Sequence, residues 1–378
     1  MSLLGGAITE AIVNDYGRAE FLRRMSDPCW FQALGCVLGM DWHSSGITTS
    51  VMGALKKALN PRAAELGIYI CGGKGKHSKQ TPRELALIAD KTGLPGDQLI
   101  YSSKLTAKVD NTAIQDGFQL YLHSFILSAD GDWAVVQQGM NDDSGMARRY
   151  HWHSSAFESF TEAPHTYIYG HNQGLILNLT DVNAGHTKAG ILELVKEKPA
   201  HLLPEIRNLV MPSHHELRAE NVNLKRLGSV LALAYDTRPA DFESLLMLEG
   251  VGPRTLQSLT LVSEVIHGTP SRFEDPARFS FAHGGKDGHP FPVPLKIYDE
   301  TISTLKDALY KAKIGASEKK DAINKLSQMA ANIEKDFIPN TNFDKLIEEE
   351  RNNSWRYKGR TVFGKAQPPK QGDQLSLF

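Results

Sequence analysis

Phe118-Gln119-Leu120-Tyr121-Leu122-His123-Ser124-Phe125-Ile126-Leu127, then Asp130-Gly131, then Trp133-Ala134-Val135-Val136-Gln137-Gln138: two runs rich in aromatic and apolar side chains flank an Asp-Gly pair. Asp-Gly tolerates the positive φ of a tight two-residue turn, so the stretch predicts a central β-hairpin. Strand alternation would put Tyr121 and His123 on one face. Upstream, Leu66 to Cys71 reads as a short apolar strand ending in Gly72-Gly73. Downstream, Thr166 to Tyr169 and Leu175 to Leu179 suggest further strand.

Helices surround these strands. Thr48 to Leu59 carries Val51, Leu55 and Leu59 at spacing four and stops at Asn60-Pro61. Thr81-Pro82-Arg83-Glu84 reads as a helix start, with Thr81 as cap and Glu84 reaching back. From Ile191 the chain turns helical, with breaks at Pro204 and Pro212. Tyr298 to Glu350 is a charged helical stretch broken by Gly315 and Pro339-Asn340, and Arg356 to Gln371 has linker composition. The expected class is α+β. A mixed domain with the central hairpin sheet covers 1–190 and would carry any catalysis. A helical domain (191–297), a charged helical region (298–355) and a flexible tail (356–378) follow.

A chain of 378 residues suits two or three domains. Apolar residues at 41% and charged residues at 22% are the balance of a soluble globular protein. No apolar run approaches the ~18 residues of a membrane span, and Met1 to Gly6 lacks the pattern of a secretory signal. Cys29, Cys36 and Cys71 are odd in number and lack metal-ligand spacing, which points to a reducing cytoplasm. Formal net charge is −1, so any contact with nucleic acid must come from local geometry.

One such geometry lies in Pro239 to Gly268. Pro239 opens a short helix with Phe242, Leu245 and Leu246 on one face. Gly250-Val251-Gly252 makes a tight turn, and Pro253 begins a second helix that runs to Gly268. The segment resembles the helix-hairpin-helix family, which binds DNA without reading its sequence. Physically, such a turn offers backbone N–H groups at a helix N-terminus, where the dipole favours phosphate. Gly250, Val251, Gly252, Arg254 and Thr255 are the expected DNA-binding residues, Arg254 adding charge. An ordinary αα-hairpin would share the Gly turn. The last five residues, Gln374-Leu375-Ser376-Leu377-Phe378, resemble the bacterial sliding-clamp-binding pentapeptide, with an amide for a polar subsite and apolar side chains for a pocket.

The chemistry is less sharply marked. Asp275, 23 residues after Gly252, resembles the acid that follows the hairpin in base-excision DNA glycosylases. Arg254, however, falls where lyase-active members carry a Lys nucleophile, and a guanidinium stays protonated. His77-x-Lys79 with Glu84 is a near-match to the phospholipase D-type nuclease motif, but Glu84 is already explained by helix capping. Gly72-Gly73-Lys74-Gly75-Lys76 lacks the ending of a Walker loop and could still touch a phosphate. On the central hairpin, Asp116 precedes one strand, His123 lies on it and Gln137-Gln138 sits on its partner. An acid followed by a polar group is how many metal-dependent nucleases hold Mg²⁺, but the usual Glu-x-Lys is absent, so no restriction-type nuclease motif is present. Histidines are frequent, as in Asp41-Trp42-His43 and His151-Trp152-His153, and two His in alternation share a strand face. Each pair taken alone is more often structural. The expected catalytic pocket is Asp41, His43, Asp116, His123, Gln138 and His151, with Asp116, His151 and His153 as metal ligands for Mg²⁺ or Mn²⁺ and no nucleotide cofactor.

Across the chain, Asp41 to Thr49, Ile70 to Gly75, Trp133 to Met140 and Asp275 to Pro290 resemble the prokaryotic family catalogued as domain of unknown function 763. That likeness spans most of 1–310 and implies no activity. The functional expectation is a cytoplasmic, nucleoid-associated DNA-binding protein of repair or replication-linked processing, in the form of a metal-dependent, structure-specific nuclease recruited by the sliding clamp. The alternatives are a helix-hairpin-helix glycosylase and a non-catalytic adaptor between DNA and clamp.

Overall fold

The computed structural model describes residues 1–41, 44–207, 224–277, 295–335, 360–361 and 364–365. It divides into two compact units, Met1–Asn332 and Ile333–Phe378. In the second unit, the strands Arg360–Thr361 and Gly364–Lys365 pair antiparallel. No helix among the described residues is long and apolar enough to cross a membrane.

The first unit is mixed helix and sheet. Its centre is an antiparallel meander of five strands in sequence order: β1 (Ile68–Lys74), β2 (Gln119–Ser128), β3 (Trp133–Met140), β4 (Ala147–His153) and β5 (Tyr167–Tyr169). The Asp-Gly hairpin joins β2 to β3, with Leu127 opposite Trp133 and His123 opposite Gln137. A bulge at Leu120/Leu122 breaks the alternation. Tyr121 therefore meets Thr49 and the Lys74 ammonium, while His123 turns to the other face.

Helices cover both faces of the sheet. On one lie α1 (Ser2–Met25, broken at Gly17), α2 (Pro28–Val37) and α3 (Ile47–Leu59), with α12 (Leu295–Lys311) packed on α1 and α2. The short α4 (Ala63–Leu66) leads into β1. On the other face lie α5 (Thr81–Thr92) and α6 (Gly96–Lys108), the latter extended by a π-turn over Val109–Ala113. Double coverage explains why β3 is buried at every position but the last, Gln137 and Gln138 included. At the edge strand, the Asn60 amide donates to the Ile70 carbonyl (2.9 Å) and accepts from its N–H (2.9 Å), which satisfies backbone that would otherwise be free to pair.

The expected capping box at Thr81 is absent. Glu84 instead accepts from the Gly72 N–H (2.6 Å) and the Lys56 ammonium (2.8 Å), pinning the end of β1 to α3 and α5. Gly72 has φ +83°, and a Cβ there would sit 2.2 Å from the His123 carbonyl oxygen, so glycine is obligatory.

The remaining helices are α7 (Gly185–Leu194), α8 (Pro199–Arg207), α9 (Leu224–Thr237), α10 (Phe242–Met247) and α11 (Pro253–His267), with α13 (Ala316–Lys335) after α12. One apolar core runs from Cys71, Phe125, Val135 and Trp152 of the sheet to Leu194, Leu231, Leu245 and Leu259 of these helices. The core continues across residue 190 rather than ending there. Leu175 to Leu179 contributes only isolated bridges, Ile114 to Asn178 and Leu177 to Phe273.

Candidate nucleic-acid interface and buried polar clusters

The hairpin between α10 and α11 is built from local signals. Asp241, rather than Pro239, begins α10; its carboxylate accepts from the Ser244 N–H (2.8 Å) and hydroxyl (2.6 Å). Phe242, Leu245 and Leu246 are buried in the core. The chain turns at Leu248, where the Val251 N–H donates to the Leu248 carbonyl (3.3 Å). Val251 is 1% exposed and plugs the turn into the core. Gly250 takes φ +83°, a conformation that suits glycine, and a Cβ there would lie 3.1 Å from Val230. Pro253 opens α11 and Gly268 closes it in the left-handed conformation.

Three of the turn's carbonyls are taken up by side chains. Lys108 donates to the Val251 oxygen (2.7 Å), Gln115 to the Pro253 oxygen (2.8 Å) and the Thr255 hydroxyl to the Gly250 oxygen (3.2 Å). Of the five expected DNA-binding residues, Val251 and Thr255 are buried and hold the turn, whereas Gly250 and Arg254 are exposed and Gly252 is half-buried. What reaches solvent is the N-terminal end of a 15-residue helix with a guanidinium beside it.

The family model for "Protein of unknown function (DUF763)" matches residues 1–293. The chain belongs to this family. No curated protein and no solved structure matches it. The DUF763 match takes in the sheet and the hairpin, and stops before α12.

Within this DUF763 body the expected catalytic residues fall into separate clusters. On the α5/α6 face, His123 lies between the Ser103 hydroxyl (2.8 Å at Nε2) and the Gln137 side-chain oxygen (2.7 Å at Nδ1). Gln137 donates onward to Asp110, which also accepts from Trp152 Nε1 (3.0 Å) and faces His165. Burial lowers the His123 pKa to about 4, against its bond to the Gln137 side-chain oxygen, and raises that of Asp110.

Asp116 belongs to a second cluster on this face. Its carboxylate accepts from Arg148 (2.9 Å) and the Tyr150 hydroxyl (2.6 Å). Arg148 also forks onto both oxygens of Asp275 (3.0 and 2.6 Å), which in turn accepts from the Gln173 and Ala277 N–H groups. All three charged side chains are buried. Burial raises Asp116 to about 6, while Arg148 is raised, since its two carboxylates outweigh its own burial. Asp275, the acid of the glycosylase resemblance, is thus engaged in a buried ion pair.

Gln138, His151 and His153 lie on the opposite face, beside α1 to α3. His151 Nδ1 meets the Met25 carbonyl (3.1 Å) and its Nε2 accepts from Arg149 (2.8 Å). Burial, helped by the Arg149 charge, holds His151 well below its usual pKa. His153 Nδ1 meets the Ser155 hydroxyl (2.9 Å). Asp116 and the pair His151/His153 are therefore separated by the sheet, and these three do not surround one cation. Among the described residues no three His, Cys, Asp or Glu side chains gather as a metal site. Gln138 donates to the Ser45 carbonyl (3.2 Å), and its buried side-chain oxygen has no partner among the described residues. Asp41 is exposed, and His43 lies outside the described residues.

Sequence reasoning passed over Asp110, Arg148 and Arg149. The one local signal for the two arginines is an Arg-Arg pair inside an aromatic strand, and Asp110 has none.

Proposed function

We propose that this chain binds duplex or structured DNA by its backbone, using the Leu248 to Thr255 turn as a helix-hairpin-helix, and works in repair or replication-linked processing at the nucleoid. The observation that carries this reading is the build of the turn. Val251 is buried and three turn carbonyls are bonded to side chains, while Pro253 and Arg254 at the start of α11 are exposed, an arrangement suited to a phosphate and indifferent to base identity. Gln374 to Phe378, which lies outside the described residues, would dock on the bacterial sliding clamp. Tethering would then raise the local concentration of the body at DNA.

Fluorescence anisotropy with a labelled duplex tests the DNA reading. Gly250→Val, which strains the turn, should weaken binding at least tenfold without losing the cooperative thermal transition. Equal affinity would remove the hairpin from the proposal. Deleting Gln374 to Phe378 should abolish clamp binding and leave DNA affinity unchanged.

A second reading, phosphodiester cleavage, is favoured by the buried Gln138 side-chain oxygen, which has no partner among the described residues and lies on a side chain bonded to the Ser45 carbonyl. Incubation with nicked, flapped and abasic duplexes plus Mg²⁺ or Mn²⁺ should then yield product that is lost in Gln138→Leu and Asp41→Asn. Base release that depends on Asp275 would favour the glycosylase. No product on any substrate leaves the adaptor that grips DNA and clamp together.

A further inference from the structure

The DNA-binding reading leaves unused the glycine- and lysine-rich stretch after β1. Gly75–Gln80 forms a short 3₁₀ segment between β1 and α5. Lys76 and Lys79 on it, and Arg83 in the first turn of α5, are all exposed. None of the three makes an ion pair or hydrogen bond among the described residues. Glu84, the acid closest in sequence, is turned inward onto Lys56 and the Gly72 N–H and does not neutralise them.

The fold carries these cations to the end of the sheet where the hairpin sits. Helices α5 and α6 pack together and are joined by three residues, Gly93 to Pro95, so they run antiparallel. The first turn of α5 therefore lies at the same end as the last turns of α6. Lys104 is exposed there, and Lys108 reaches the Val251 carbonyl at 2.7 Å. The sheet gives the same result independently. Lys74 at the end of β1 is opposite Leu122, the Leu120 N–H donates to Asn111 (3.3 Å), and Asn111 lies in the π-turn that follows Lys108. The far end of the α5/α6 pair carries Asp90 and Asp97 with Lys91. Charge is segregated along the pair, in a chain whose formal net charge is only −1.

The geometry points to a second backbone-contact surface for duplex DNA: Lys76, Lys79 and Arg83 on one flank of the C-terminal end of α6, Lys104 on its crest, and the hairpin with Arg254 on the other flank. Lys76, Lys79, Arg83 and Lys104 are solvated cations, which contribute charge without base selection, whereas Lys108 is occupied by the Val251 carbonyl. The acids near it are exposed Glu249 beside the turn, and Glu243 and Asp241, which face Tyr101 on α6.

The proposal rests on the DNA-binding reading, and salt titration of full-length protein on a labelled duplex separates the two. Each phosphate contact contributes about −0.9 to the slope of log K against log salt. The triple variant Lys76→Ala/Lys79→Ala/Arg83→Ala should bind about tenfold more weakly at moderate salt and lower the slope magnitude by roughly 2 to 3. Its thermal midpoint should match that of the parent chain. If the triple variant binds with the parent's slope while Gly250→Val binds poorly, the second surface is refuted and the hairpin stands. Should the parent chain fail to bind duplex DNA, both fall. Tighter binding of an RNA duplex of the same sequence would overturn the assignment to DNA.

Discussion

Arg148 and Arg149 are neighbours on β4, both buried, and they point to opposite faces of one sheet. Arg148 enters a ring of acid, with Asp116 and Asp275 at 2.9 Å or less and Tyr150 sharing Asp116. Arg149 enters a neutral and aromatic enclosure. Phe31 and Tyr169 lie 4.6 and 4.7 Å from its guanidinium, with Gln32, Thr48, His151 and the Pro28 carbonyl as acceptors. No described carboxylate forms an ion pair with it, and burial pulls its pKa down to about 10. The same residue type is thus stabilised in two ways, by full countercharge on one face and by dispersed dipoles and ring quadrupoles on the other.

The two faces should respond differently to loss of their cation. Arg148→Met strands two buried carboxylates and should cost about 3 to 5 kcal/mol in urea unfolding. Arg149→Met leaves only neutral acceptors short of a donor, so about 1 to 2 kcal/mol is expected. Equal losses would erase the distinction. Adding Asp116→Asn and Asp275→Asn to Arg148→Met should recover part of the deficit, because the stranded charges are then gone.

Acid titration sharpens the contrast next. His123 titrates at about 4 in the fold, against about 6.5 unfolded. Its folded pKa is depressed, so its contribution is present above pH 6.5 and is lost as pH falls towards 4, by roughly 3 kcal/mol in all. His151, held low on the other face, changes in the same direction. Asp116, raised to about 6, works the opposite way and favours the fold at the acid end of this window. His123→Gln should therefore flatten the loss between pH 6.5 and 4 in denaturation midpoints, and an unchanged pH profile would remove His123 as its source. The smallest effect belongs to Gln138→Leu, within about 1 kcal/mol, since its side-chain oxygen has no partner to lose among the described residues. A large loss there would mean that the oxygen has a structural partner after all.

Where the sequence could be read, the determinants were local. Asp130-Gly131 announced the β2/β3 hairpin, Asn60-Pro61 the end of α3, and Pro253 with Gly268 the two ends of α11. Each acts through φ restrictions or missing donors within a few residues. The turn of the candidate interface was legible for the same reason. The buried clusters were not, because their partners are remote. Arg148 meets Asp275 across 127 positions, Gln137 meets Asp110 across 27, and Arg149 meets Gln32 across 117. Asp116 was noticed as a metal ligand because acids near strands suggest one, whereas its actual neighbour is a guanidinium that no spacing rule could supply. Alternation also misled at Tyr121, where one bulge reverses the face.

The Asp116–Arg148–Asp275 link has a consequence in time. A ribosome adding roughly 5 to 20 residues per second delivers Arg148 well before Asp275, which follows 127 positions later. For about 6 to 25 s the nascent sheet therefore holds a buried-destined cation with half its countercharge still unmade. Arg148 on the meander therefore gains its second carboxylate only after α7 to α11 have been synthesised.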